Sequence, residues 1–340
     1  MLRFYLGVDV SKKSLSVALV DAQDKILWKN KSISNNVSGF KTIISKVLQS
    51  ASRESSGQTF EIAAGLENTG VYGEKLCHFL YENGNGRFTV YVLAPKPVRS
   101  FAEVSKEYNK NDDTDAKLIA SYLCVAIMKN KLTPWTPPEP RDEHLKFLCR
   151  RREELLHLRT QESNRLEKVL NMGTNYPDIE QSVRNHLKYL EDEIRSIEEK
   201  IKEDINHSST CKEDDKLLQS ITGVGRVLSS TFLAEIGDIK RYKSAKQIVA
   251  FVGLAPREYT SGTSVHKRSK ISKRGRGRIR GCLFMAVMVA TRFNPVIREF
   301  YKRLLERGKS KMLSLHACMR KLLHIMYGVL KSRSTFVATA

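Results

Sequence analysis

Paired cysteines are missing from this sequence. Cys77, Cys124, Cys149, Cys211, Cys282 and Cys318 stand alone, with no CxxC spacing among them. That argues against a cysteine-bound zinc site and gives no disulfide framework. Reduced thiols and a cytosolic setting are expected. Long apolar runs are missing too. The longest, Cys282 to Ala290, is far short of the ~20 residues that span a bilayer. The start, MLRFYLGVDVSKK, has no cleavable signal pattern, because its apolar part is short and carries an aspartate. No basic amphipathic anchor stands out, so a membrane partner is not expected.

Acids are scarce in one region only. The formal net charge is +21. Residues 1–135 carry +5, residues 136–215 carry −5, and residues 216–340 carry +21, with 26 basic and 5 acidic side chains. A block this basic implies a polyanionic partner, and nucleic acid fits best.

The first third alternates strand and helix signals. RFYLGVDV reads as a strand, and SLSVALV and KILWKNK follow at hairpin spacing around the turn DAQD. Phe40, Ile43, Ile44, Val47 and Leu48 recur at helical spacing. EIAAGLE and FTVYVLA read as further strands, with helices after each. The order β-β-β-α-β-α-β-α-α predicts a mixed sheet covered by helices, an α/β domain over 1–132. TPWTPPEPRDE is a proline-rich linker that opens a second segment, 133–215. There, Val183, Leu187, Leu190, Ile194, Ile197 and Ile201 form a heptad seam, which predicts a coiled-coil hairpin. The remainder, 216–340, reads as mainly helical, with a polar, glycine-containing loop at 255–277.

Two groups of residues carry chemistry. The first is acidic. Asp9 lies between valines in the first strand, which is costly unless it is paired or bound to a cation. Glu67 ends the EIAAGLE strand. Asp112 and Asp115 lie three apart at a helix start, on one face of its first turn. For these two alone, helix capping and dipole compensation is a sufficient reading. With Asp9 and Glu67 in the same domain, a divalent cation site becomes the sharper one. Oxygen ligands suit Mg²⁺ or Mn²⁺, which support phosphodiester chemistry. Asp113 would point outward.

The second group is basic. LLQSITGVGRVLSSTFLAEIG has two apolar helices around a GxG turn, a helix-hairpin-helix pattern. Gly223 and Gly225 would let backbone N–H groups approach a phosphate, or would simply allow the helices to pack. The glycine-punctuated run from Arg257 through Lys267, Arg268, Lys270, Lys273, Arg274, Arg276 and Arg278 to Arg280 suits a nucleic-acid backbone. Ser261 stands in its approach. A serine before glycine is ordinary loop chemistry, yet among cations it is also a candidate nucleophile toward a neutralised phosphate.

GVDVSKK, LENTGVY and NKNDDTDAKLIA resemble the DEDD motifs of the insertion-sequence-110 family of transposases and the related pilin-gene invertases. ITGVG, FVGLAPREYTSG and SKRGRGRIRGCL resemble that family's C-terminal transposase domain. The resemblance implies a RuvC-like, RNase H fold for the first domain, with Asp9, Glu67, Asp112 and Asp115 as metal-binding acids. It implies that Ser261, with Ser264 as a nearby fallback, attacks DNA to form a covalent phosphoserine. It further implies donor and target duplex DNA as partners. Dimers would assemble into a synaptic tetramer with a composite active site. In the insertion-sequence branch, a structured bridge RNA chooses the sites; an RNA-independent invertase is the alternative within the family. One departure is the acidic residue after Asp112, where a neutral one is commoner. Two rivals from other classes remain at this level: a metal-dependent junction nuclease that uses water, and a non-catalytic nucleic-acid scaffold.

Overall fold

The computed structural model describes residues 2–67, 70–104, 112–137, 140–174, 176–261, 265–272, 275 and 277–338. At 112–114, 140–142, 257–261 and 265–270 it describes the backbone alone. Lys273, Arg274, Arg276 and Ser264 therefore lie outside the described residues, as do the side chains of Asp112, Asp113, Arg257, Ser261, Lys267, Arg268 and Lys270. The chain forms two compact units, Met1–Pro138 and Glu139–Ala340.

The first unit runs β1 (Leu2–Val10), β2 (Ser14–Val20), β3 (Ile26–Ser34), α1 (Val37–Glu54), β4 (Phe60–Glu67), α2 (Glu74–Asn83), β5 (Phe88–Leu93), α3 (Pro95–Val104) and α4 (Asp112–Met128). This is the order expected from the sequence. The five strands form one sheet in the order β3-β2-β1-β4-β5. β1 pairs antiparallel with β2, and β2 with β3; β4 lies parallel to β1, and β5 parallel to β4.

Strand alternation sorts the two faces. Leu6, Val8, Ile62 and Leu66 pack with Phe40, Ile43 and Val47 of α1 and with Leu76 and Leu80 of α2. Tyr5, Ala63, Tyr91 and Leu93 face Ile119 and Leu123 of α4 and Val98 of α3. α1 starts where Asn36 accepts a hydrogen bond from the Gly39 N–H at 3.0 Å, an N-cap that satisfies an otherwise unpaired donor. The proline-rich linker is pinned to this unit: the Trp135 N–H donates to the Val90 carbonyl at 2.7 Å, and its ring meets His78 edge-on.

The second unit opens with two long helices, α5 (Pro140–Leu170) and α6 (Pro177–Asn206). Cross pairs fix them as antiparallel: His144 with Asp204, Arg152 with Glu198, and His186 with Glu162. Val183, Leu190, Ile194 and Ile201 of the heptad seam are buried. Leu155 packs on Leu190 and Ile194. The base of the pair, through Leu145, Leu148, Ile201 and Ile205, is continuous with the core of the last third.

That core is built by α7 (Ser209–Gln219), α8 (Arg226–Ile236), α9 (Ala245–Val252), α10 (Gly277–Phe293), α11 (Pro295–Glu306) and α12 (Lys311–Ser332). One sequence expectation is corrected here. The stretch 255–277 is not simply a loop: it carries an antiparallel hairpin, β6 (Pro256–Ser261) and β7 (Val265–Ile271), before α10 begins. Its strands alternate polar and charged residues, so no apolar pattern betrays them; their backbone ladder defines them instead. Among the described residues, no helix is long and apolar enough to cross a membrane.

Candidate active site

Three acids meet where β1 and β4 end. The register pairs Val8 with Leu66, so Asp9 and Glu67, one step further along each strand, sit side by side at the carboxyl ends of two parallel neighbours. Asp9 follows Gly7 by two residues and Glu67 follows Gly65 by two, so both acids lie on the faces of those glycines. Both glycines face α4. A Cβ on Gly7 would collide with the Ala116 carbonyl oxygen, and one on Gly65 would lie 3.0 Å from the Leu123 side chain. A bare strand at Gly7 is thus what lets α4 lie against the sheet. Asp115, next to Ala116 in the first turn of that helix, is delivered to the same end.

The electrostatics agree with this placement. The Glu67 carboxyl is pushed above the ordinary carboxylate range, first by partial burial, then by the charges of Asp9 and Asp115. Arg99 of α3 opposes the rise. Sequence reasoning missed Arg99; Arg99 lies thirteen positions before Asp112 and has no periodic signature. Among the described residues, no three His, Cys, Asp or Glu side chains close into a complete metal cage. Asp9, Glu67 and Asp115 share a field without forming a finished ligand set. Asp112 stands at the first position of α4.

The expected serine and cations belong to the second unit. Ser261 ends β6 and pairs with Val265, the first residue of β7, so its backbone stands at the end of the ladder far from Pro256 and Ile271. Arg257 pairs with Lys270, and Tyr259 with Lys267, which strings basic residues along the same two strands. The other cations divide. Arg278 lies 3.2 Å from Glu153. Arg280 turns inward and donates to the Val252 carbonyl at 2.7 Å, satisfying the end of α9.

Gly223 and Gly225 lie in the turn between α7 and α8. Gly223 has φ +101, and a Cβ there would lie 2.7 Å from that of Ala290, so its first task is close packing against α10. Gly225 caps α8 and meets nothing within 4 Å where a Cβ would stand, leaving its backbone open to an approaching group.

Two family models match this chain. One, described as transposase of the IS116/IS110/IS902 family, covers residues 215–302; the other, a transposase model for the DEDD enzymes of IS110, covers residues 6–173. The chain belongs to the IS110 family of transposases. Pilin gene-inverting proteins of Moraxella lacunata and Moraxella bovis are each 29% identical over 337 residues, covering 99% of this chain and 98% of the relative. A transposase for insertion sequence element IS1328 from Yersinia enterocolitica is 27% identical over 224 residues, covering 59% of this chain and 63% of its own. Among solved structures, T. thermophilus RuvC in complex with a Holliday junction substrate aligns at a TM-score of 0.29 and 12% identity. It covers 39% of this chain and 99% of that one, a likeness too loose to argue from.

Proposed function

We propose that this family member is a DNA recombinase whose first unit is a RuvC-like, RNase H-fold metal domain and whose basic unit carries the attacking serine. The observation that carries the reading is the shared field of Asp9, Glu67 and Asp115 at the carboxyl ends of β1 and β4, where partial burial first and then the two other acids raise the Glu67 carboxyl. Mutual repulsion among carboxylates is what a bound divalent cation relieves, so these residues, with Asp112, fit Mg²⁺ or Mn²⁺. Such a cation would supply neutralisation of charge on the phosphate oxygens.

The reaction proceeds at Ser261. Its Oγ bonds to the scissile phosphorus as the bond to the leaving deoxyribose oxygen breaks, and the serine proton ends on that oxygen. One strand end is then a phosphoserine ester and the other a free hydroxyl. Attack by a hydroxyl of a different strand reverses the step and rejoins DNA without ATP. Acids and serine come from different copies, in a dimer that pairs into a synaptic tetramer. The coiled-coil α5–α6 hairpin brings copies together. The helix-hairpin-helix of α7 and α8 and the cations from Arg257 to Arg280 hold duplex DNA, and a bridge RNA selects the sites. One observation favours a second reading on this last point: the near full-length relatives are pilin gene-inverting proteins, which fits inversion without a guide RNA.

Incubation of the protein with end-labelled recombination substrate, followed by denaturing electrophoresis, tests the core of the proposal. A protein–DNA adduct is expected for the native chain and none for Ser261→Ala, with DNA binding retained. Cleavage that survives Ser261→Ala would establish a water-using nuclease instead. Sequencing the RNA that co-purifies, then repeating the reaction after ribonuclease treatment, separates guided from unguided recombination.

A further inference from the structure

A groove at the base of the β6–β7 hairpin has no part in the chemistry above. It encloses about 480 Å³ and is lined on one side by Leu254, Pro256 and Ile271, and on the other by α11 and α12. His316, Arg320 and His324 are spaced four apart on α12, so they form one stripe facing it, with Lys321 beside them. The floor is apolar: Phe300 is half-buried, and Leu313 is left 46% exposed at the rim.

The charge here is one-sided. Arg320, Lys321 and Lys246 of α9 all act on His324, which burial first and then these three cations hold below the ordinary histidine range. Among the described residues, none of the three is paired with a carboxylate. The His324 Nε2 is buried without a hydrogen-bond partner. Cations at the rim of an apolar floor complement an anion that has an apolar face. A duplex offers only its phosphates on its outer surface and would leave the floor unused. An unpaired strand offers both phosphates and base faces.

We propose that this groove binds single-stranded DNA, with phosphates on Arg320 and Lys321 and bases against Phe300 and Leu313. The assignment of the polymer as DNA rests on the recombinase reading, because the same hairpin that walls the groove carries Ser261 at its far end. From Pro256 to Ser261 the strand climbs five residues, roughly 17 Å at about 3.3 Å per residue. The groove is thus placed to hold a strand a few nucleotides from the cut, unpaired while it changes partners.

Two measurements on the full chain test this. The first is anisotropy with labelled oligothymidylate, oligouridylate and duplex DNA. Arg320→Ala/Lys321→Ala should weaken oligothymidylate binding by roughly tenfold and reduce its log–log salt slope by about 1.4, at ~0.7 per lost contact. Duplex affinity should move far less. Equal losses on strand and duplex, no loss on the strand, or a loss confined to oligouridylate would each overturn the proposal. The second is photocrosslinking of the native chain to iodouracil-substituted oligodeoxynucleotide, which needs no variant to fold. Adducts are expected on peptides of α11 and α12; adducts only elsewhere overturn the proposal. The two readings fail separately. Crosslinks at the groove without any Ser261 adduct would sink the recombinase and keep the groove. An adduct without those crosslinks would do the reverse.

Discussion

Glu67 of the first unit and Glu235 of the second stand in opposite electrostatic settings. In the first, Glu67 stands at the carboxyl end of β4, and its carboxyl is raised first by partial burial and then by Asp9 and Asp115, against the opposing charge of Arg99. In the second, Glu235 is more deeply buried, 3% exposed at its side chain, yet it lies 3.6 Å from Arg150. Beside Glu235 the second unit sets a cation, while beside Glu67 the first unit sets two further acids as well as Arg99. Like charges left facing one another raise the cost of ionisation, which a bound cation would offset. A fold that pairs its buried acid is merely staying folded.

The comparison breaks most violently at Gly7. Gly7→Val would drive side-chain atoms into the Ala116 carbonyl and push α4 off the sheet. A loss of ~3 kcal/mol or more is expected in denaturant unfolding of the full chain, because a backbone collision cannot relax as a side chain does. An unchanged midpoint would mean that α4 does not cross β1 there. Next comes Asp9→Asn, which removes a charge from the acid group but leaves the packing. Strand cleavage should fall on the order of 100-fold or more, while DNA affinity stays within about twofold, since the basic unit is untouched. Parallel loss of binding would show that the acids shape the DNA surface rather than the chemistry. The counterpart in the second unit is Arg150→Met. It strips the cation from a buried carboxylate, with an expected cost of about 2 kcal/mol in stability and no selective effect on cleavage.

Much of the first unit is legible in the sequence, because its strands and helices bury apolar faces and apolar periodicity is what sequence displays most plainly. SLSVALV is a strand from its first residue to its last. The acids were visible as residues out of place, Asp9 between valines above all. Their proximity was not, since it follows from the β1–β4 register and from the missing side chain at Gly7, neither of which has a local signature. Gly223 shows the converse. Its motif suggests a phosphate approach, while its close neighbour is Ala290, 67 positions away in sequence. The β6–β7 hairpin escaped because VHKRSKI has almost no apolar alternation, and backbone hydrogen bonds leave no mark on composition. Arg99 and the α12 stripe escaped for a related reason: single cations on helices are ordinary until the fold shows what they face.

The gentlest test addresses the repulsion itself. Because the Glu67 pKa is raised in the folded chain, ionising this group costs more there than in the unfolded chain. The native protein therefore loses stability as pH climbs from below the ordinary carboxylate range through the raised value. Glu67→Gln has no such loss. At neutral pH it should melt slightly higher than the native chain, by ~0.5 kcal/mol given how open and screened the site is. In acid, below the unfolded carboxylate pKa, the advantage should vanish, because the native glutamate is then protonated in both states. Added MgCl2 reverses the ranking if the acids hold a cation: the native Tm rises by ligand linkage, and that of the variant rises less. A variant less stable at neutral pH, with a native Tm indifferent to Mg²⁺, would mean that the three carboxylates are held apart by the fold. The first unit would then handle charge as the second does.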